Sequence, residues 1–197
     1  HPDVFEFFTS EVDYTADGLE KLEEAIQKVK SSSVKTIVLH HPMKYQGKRL
    51  ELVAHPKNNA ELVNFIDFST QKLLDLAKKY DCKVLVHGSY ELEEAELLEP
   101  FASIEDARQY LFSRMDHFCH IGKDYIMFEN GISKLYSYGN PVFDRLLAQK
   151  AYPLAYDVSH AFIYLHGDNE ALQQSLKTLK DHIVHYHLVD SLGQTHD

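Results

Sequence analysis

The sequence predicts an α/β fold built on a parallel sheet, and three observations carry that prediction. Short β-branched or aromatic runs alternate with longer amphipathic stretches along all 197 residues. Strands separated by single helices imply right-handed βαβ units and therefore parallel pairing. The runs Val34–Leu39 and Val84–Val86 do not alternate cleanly between apolar and polar residues, as expected of strands covered on both faces. No linker, low-complexity segment or composition shift divides the chain, so residues 1–197 read as a single domain.

The elements follow in order. Val4–Phe8 reads as the first strand. Ala16–Lys30 is a helix, with Leu19, Leu22, Ala25, Ile26 and Val29 at helical spacing. Val34–His40 is the second strand. Asn58–Tyr80 is a long helix carrying Leu62, Phe65, Ile66, Leu73, Leu74 and Ala77 on one side. Lys83–His87 is the third strand. Ser103 caps the next helix, with Asp106 three residues on, and that helix runs to about Ile121. Tyr125–Glu129 is the fourth strand. Pro141–Lys150 is a helix with proline in its first turn. Leu154–Asp157 is a short fifth strand, Asn169–Lys180 a helix, and Ile183–Val189 the sixth strand. Six such units make either an incomplete barrel or a doubly wound sheet. At 197 residues the chain is short for a complete eight-unit barrel of about 250. No Gly-rich loop follows any of these strands, which argues against a dinucleotide or nucleotide-phosphate site.

Composition narrows the function. An apolar fraction of 44% and a charged fraction of 25% are those of an ordinary globular protein. No uninterrupted apolar stretch reaches about 18 residues, so no membrane span and no membrane partner are expected. The start, His1-Pro2-Asp3, has no basic region followed by an apolar run and no initiator Met. It points to a processed chain or a piece of a longer one. Cys82 and Cys119 form no disulfide framework or metal-ligand spacing and read as buried thiols of a reducing, cytoplasmic setting. The net charge of −10 argues against a large phosphate-gripping surface and so against nucleic acid as the partner. Self-assembly is left open.

Thirteen histidines are the compositional oddity, and several stand at strand ends. In parallel β/α folds ligands bind at the carboxyl ends of the strands. Glu6 lies within the first strand. His40 and His41 close the second, His87 the third and Glu129 the fourth. Asp157 and His160 follow the fifth, and His185, His187 and Asp190 stand at the sixth. His196 and Asp197 come last. Imidazole and carboxylate together suit Zn, Mn, Co or Fe. A carboxylate-rich set with one His and open positions suits Mn or Mg holding a polyhydroxy substrate. A nearby Glu can then move a proton on the carbon next to a carbonyl. Glu129 at the end of an apolar strand needs a partner for its charge, and Asp157 could alternatively cap the turn after its strand. If the last strand is regular, His185 and His187 share a face, with His187 favoured as ligand. Tyr136 and Tyr138 could cover a sugar or be surface aromatics. His55, His117, His120, His166 and His182 read as structural or solvated.

Three signatures in order carry a resemblance: Phe128-Glu129-Asn130, Asp157-Val158-Ser159-His160-Ala161, and His185-Tyr186-His187-Leu188-Val189-Asp190-Ser191. The chain resembles the xylose isomerase-like barrel superfamily, which includes sugar and sugar-phosphate isomerases and epimerases and the endonuclease IV type of apurinic endonuclease. The resemblance implies a parallel (β/α) TIM-type barrel of which the chain holds about six of eight units, without the first and last strands. In the epimerase branch it implies that Glu129, Asp157 and His187 hold a divalent ion (Mn, Mg, Co or Zn). Glu129 and His160 would be catalytic, and His160 would touch the sugar; Glu6, which lies inside its strand and can face the barrel interior, and His87 are read from position as the other substrate-binding residues. That branch uses a second Glu from a closing strand, which lies beyond Asp197. The endonuclease branch implies a multi-metal (Zn) phosphodiesterase acting on apurinic DNA. There His41 (or His40) and His87 join Glu129 at one ion, Asp157 and His187 hold a second, and His160 and His196 a third. A barrel that binds sugar without turning it over is the remaining reading.

Overall fold

The computed structural model of the chain describes residues 2–91 and 99–195. Six strands form one parallel sheet: β1 (Val4–Phe8), β2 (Thr36–His40), β5 (Lys83–His87), β6 (Ile126–Glu129), β7 (Leu154–Asp157) and β8 (Ile183–His187). They lie in chain order, as successive right-handed crossovers require. Two very short strands, β3 (Lys44–Tyr45) and β4 (Lys48–Arg49), make a separate antiparallel hairpin. Its turn is Gln46-Gly47, both at positive φ (49° and 78°), a conformation that glycine adopts without steric cost. The helices are α1 (Ala16–Lys30), α2 (Pro56–Tyr80), α3 (Ile104–Gly122), α4 (Pro141–Lys150), α5 (Val158–Tyr164) and α6 (Asn169–Leu179).

The sheet is curled, and side chains on its two edge strands meet. Glu6 on β1 lies 3.2 Å from His185 and 3.0 Å from His187 on β8. In a flat sheet of six strands those edges would stand about 24 Å apart. The doubly wound alternative is thereby excluded, and the architecture is an open, incomplete barrel.

Apolar residues lie in two layers. Leu39, Val84, Val86, Phe128 and Tyr156 point outward and pack beneath the helices against Ile66, Leu73, Leu74, Leu111, Met115 and Leu147. Val38, Leu85, Met127 and Ala155, one from each of four neighbouring strands, form a small separate cluster on the concave side. Each large side chain buried this way contributes about 1.5–3 kcal/mol. Helix starts follow local chemistry. Ser103 accepts from Asp106 N–H at α3, Asn140 from Val142 and Phe143 N–H at α4, and Asp168 from Glu170 and Ala171 N–H at α6.

The structure departs from the sequence reading at several points. β2 starts at Thr36 rather than Val34, and α2 starts at Pro56 behind a His55 cap rather than at Asn58. β8 ends at His187, so Leu188 and Val189 leave the sheet exposed. The short helix α5 and the β3–β4 hairpin went unread, because neither spans enough residues to show a period. Tyr136 and Tyr138 are fully buried in the outer layer, where Tyr138 O–H donates to the Phe128 carbonyl at 3.0 Å; they do not cover the concave face. Exposed apolar side chains concentrate on the two edge strands, at Val4, Phe5 and Phe8 on β1 and Val184 and Tyr186 on β8.

Candidate metal centre

Side chains alternate faces along a strand. Residues sharing parity with the concave cluster therefore line the interior. One step beyond that cluster, each strand contributes its final inward residue: Phe8, His40, His87, Glu129, Asp157 and His187. The distances bear out that ring. His40 Nε2 is 3.4 Å and His87 Nε2 3.2 Å from Glu129 Oε2. His187 Nδ1 is 2.9 Å from Glu129 Oε1 and 3.7 Å from Asp157 Oδ2. His160, from α5, brings Nδ1 to 3.6 Å from each of those two carboxylates. Phe8 stacks on His40 with ring centroids 4.5 Å apart.

Glu129 is the hub, and it is 1% exposed. Burial alone would push its carboxyl up. The surrounding imidazoles of His87, His187 and His40 outweigh that and hold it well below the usual carboxylate range. Burial drives His87 down to about 3, so it is a neutral imidazole at neutral pH. Burial also opposes charge on His187, yet the surrounding Asp157, Glu129 and Glu6 carboxylates raise it to about 12.

These donors fit a divalent cation. His40 Nδ1 lies 2.7 Å from the His41 carbonyl, which can only accept, so Nδ1 carries the proton. With Nδ1 so engaged, His40 turns its Nε2 toward Glu129 Oε2 at 3.4 Å, from where both atoms could reach one cation. Glu129 Oε2 and His87 Nδ1 are both buried without a hydrogen-bond partner among the described residues. Ligand atoms about 2.0–2.2 Å from a metal stand roughly 3.3 Å from one another in a tetrahedral shell. The separations here bracket that spacing. Two trios share Glu129: His40, His87 and Glu129, and Glu129, Asp157 and His187. Such a pair could hold one ion or two.

Asp157 divides its carboxylate between two tasks. Oδ1 accepts from the backbone N–H of His160 at 2.7 Å and so caps α5. Oδ2 faces His160 and His187. The cap reading and the ligand reading of this residue are therefore compatible. Asn130, quoted in the sequence only as part of a motif, anchors the pair. Its side chain exchanges two hydrogen bonds with the Asp157 backbone (2.8 and 3.0 Å), and its carbonyl accepts from His160 Nδ1 at 2.8 Å. The adjoining Gly131 lies against the loop after β5. A Cβ there would sit 2.3 Å from the carbonyls of Ser89 and Tyr90, so no other residue fits.

The alternatives His41 and His40 are divided by the strand's parity. His41 has the opposite parity to His40 and lies outside the ring. Its Nε2–H donates to Ser69 Oγ at 2.7 Å, while Ser69 itself donates to the Phe65 carbonyl. The histidine of this pair that reaches Glu129 is His40. Strand period alone would have told them apart, since residues 38 and 40 share a face. His196 lies outside the described residues. Glu6, expected beside the substrate, gives its Oε2 to His185 and His187, and its Oε1 is buried without a partner among the described residues. Burial raises its carboxyl, and the two histidine hydrogen bonds overcome that to set it at about 2.

Tyr90 is a wall of the site that sequence reading missed. Its ring meets His87 and His160 edge-on at 5.2 and 5.1 Å. The Arg49 guanidinium lies over its other side at 4.6 Å and pairs with Glu91 at 2.8 Å. The loop is held from below by buried Glu51, which accepts from the backbone N–H groups of Tyr90 (2.8 Å) and Glu91 (3.3 Å). Burial lifts the Glu51 carboxyl to about 7, against the opposing pull of those N–H groups. A raised carboxyl binds its proton more tightly folded than unfolded. Its contribution to stability is thus present below the unfolded value near 4.5 and lost as pH rises through 7. Replacing Glu51 with Gln should make the stability gap between wild type and variant move by about 2–3 kcal/mol between pH 4.5 and pH 8, in the variant's favour at the higher pH. Urea unfolding across that range measures it; a gap independent of pH would show that Glu51 does not titrate there.

Solved structures share this architecture. A D-tagatose 3-epimerase-like protein superposes with a TM-score of 0.67 at 19% identity, over 98% of this chain and 69% of its own. D-psicose 3-epimerase, crystallised in the presence of D-fructose, gives 0.65 at 10% identity, over 95% and 63%. In fold, the chain is an incomplete parallel β/α barrel of the TIM type, like these structures. SacUVDE matches this barrel more loosely, with a TM-score of 0.57 at 15% identity over 89% of this chain and 58% of its own. The barrel described here thus spans between 58% and 69% of the length of these structures. No family model and no curated protein matches the sequence. Among the described residues no helix is long and apolar enough to cross a membrane.

Proposed function

We propose that the protein is a divalent-metal-dependent isomerase or epimerase of a small sugar or sugar phosphate, working by proton abstraction next to a carbonyl through an enediolate. One observation carries this reading: His187 Nδ1 lies 2.9 Å from Glu129 Oε1 and 3.7 Å from Asp157 Oδ2, so that the three side chains converge closely enough to share one ion. When bound there, a divalent ion polarises a carbonyl. Glu129 is held ionised, the state in which a carboxylate accepts a proton from the carbon beside that carbonyl. His160 is fixed by the Asn130 carbonyl and by Asp157 and stands ready to orient a substrate hydroxyl. Tyr90 supplies an aromatic wall of the kind that packs against a sugar ring. Two of the matched structures are named as a 3-epimerase and a 3-epimerase-like protein, which supports the sugar reading. Under this proposal residues 1–197 supply six units of a larger barrel, and the apolar residues exposed on β1 and β8 face the wall that completes it.

A second reading rests on the other trio. His40 and His87 beside Glu129 would hold an additional ion, as a multi-metal phosphodiesterase acting on apurinic DNA requires. The net charge of −10 weighs against a DNA substrate.

The deciding experiment gives the intact protein Mn²⁺ and a panel of ketoses and aldoses in deuterated water. Proton NMR should show loss of the C–H signal next to the carbonyl, with one ion bound per chain. Cleavage of an oligonucleotide at an abasic site with two or more ions bound would establish the second reading. Tight sugar binding without exchange would leave a non-catalytic sugar binder. A protein that takes up no divalent ion would sink the first two together.

A further inference from the structure

Two candidate trios compete for one imidazole. His187 presents Nδ1 to Glu129 Oε1 at 2.9 Å, and its opposite edge, Nε2, to Glu6 Oε2 at 3.0 Å. Glu6, His185 and His187 cluster as closely as Glu129, Asp157 and His187 do. A neutral imidazole has one N–H and one lone pair, so only one edge can ligate an ion. The surroundings decide which. On the Nδ1 side two carboxylates converge, those of Glu129 and Asp157, both almost wholly buried. On the Nε2 side there is one carboxylate, Glu6, whose side chain is 14% exposed. Both His185 and His187 fall on the same Glu6 oxygen, while the other oxygen takes neither. One oxygen between two imidazole nitrogens is the arrangement of an acceptor between two donors.

We propose that Glu6 is the positioning carboxylate of the metal centre: it accepts the Nε2 proton of His187 and thereby presents the Nδ1 lone pair to an ion held with Glu129 and Asp157. His185 braces the same carboxylate from the far side. Glu6 and His185 sit one layer below the ring, level with Val38, Leu85, Met127 and Ala155, where they replace the apolar residues that the other four strands supply. A carboxylate behind a ligating histidine fixes its tautomer and orientation and makes it a stronger donor. The inference rests on the metal-centre reading given above and adds to it the residue that sets the geometry of one ligand.

The test uses Zn²⁺ with intact wild-type protein and the variants Glu6→Leu and Glu6→Gln. Affinity is read by chelator competition, and the His187 tautomer by ¹⁵N NMR of the Zn-loaded wild type. Glu6→Leu should bind Zn²⁺ roughly 10–100-fold more weakly at unchanged stoichiometry. Glu6→Gln, whose amide oxygen still accepts a hydrogen bond, should fall between Leu and wild type. The ¹⁵N spectrum should show His187 protonated on Nε2 and ligated through Nδ1, a signature that does not depend on any variant folding. Equal affinity across the three proteins would overturn the inference and leave the metal-centre reading standing. Ligation of His187 through Nε2, or loss of one bound ion in Glu6→Leu, would make Glu6 a ligand and overturn it as well. A wild-type protein that binds no Zn²⁺ overturns both.

Discussion

Under the proposed function, Glu129→Gln is expected to reduce sugar turnover at least about 10³-fold, since that reading makes Glu129 both the acid/base and a metal ligand. The amide matches the carboxylate in size, so the surrounding pocket keeps its shape. What changes is charge. Glu129 faces His40, His87, His160 and His187 within 3.6 Å. Without it His87 loses the favourable charge that offsets its burial, and His187 keeps only Asp157 and Glu6. The variant should also lose tight ion binding, seen as the absence of a metal-dependent rise in melting temperature. Retention of more than a tenth of wild-type turnover would remove Glu129 from the proton-transfer step.

Adding a divalent ion to metal-free wild type should raise its melting temperature by about 5–10 °C. A ligand at one hundred times its dissociation constant stabilises by about 2.7 kcal/mol. For a domain of this size each kcal/mol is worth roughly 2–4 °C. A chelator should reverse the rise. The variants make the measurement diagnostic. Asp157→Asn should abolish the rise if one ion is held by Glu129, Asp157 and His187, and only reduce it if a second ion sits on the other trio. His87→Ala should leave it intact if one ion is held by Glu129, Asp157 and His187, and should cut it substantially if a second ion sits between His40, His87 and Glu129. No rise in wild type with Mn²⁺, Mg²⁺, Co²⁺ or Zn²⁺ would contradict the metal centre itself.

Much of the fold could be read from the sequence, because its long helices show a clear 3.6-residue period and its strands are nearly continuous apolar runs. The parts that escaped were short. Helix α5 has seven residues, and each hairpin strand has two. The convergence of Glu129, Asp157, His160 and His187 was foreseen from their place at strand ends. Proximity to the strand end leaves His41 and His40 as alternatives, and parity along the strand separates them. Tyr90 and Glu51 escaped for a different reason. They stand on loops, where no periodicity says which way a side chain points, and only the folded chain brings Glu51 beneath Tyr90 from 39 residues away. Asn130 lay in a quoted motif, but its bonds to the Asp157 backbone depend on the register of β6 against β7.

The hydrogen bond between Glu6 and His187 joins residues 181 positions apart, nearly the whole span of the chain. A contact of that separation carries a large loop-closure penalty and is among the last to form during folding. The candidate ligand His187 is then expected to be locked in place by Glu6 only after the rest of the sheet has formed. A bound cation should then act late, stabilising the native state more than the folding transition state. The rate that responds should be the unfolding rate, which falls as ion is added, while the refolding rate stays nearly constant. For such a protein the ion would govern how long the native state persists, and would have little part in how quickly it is reached.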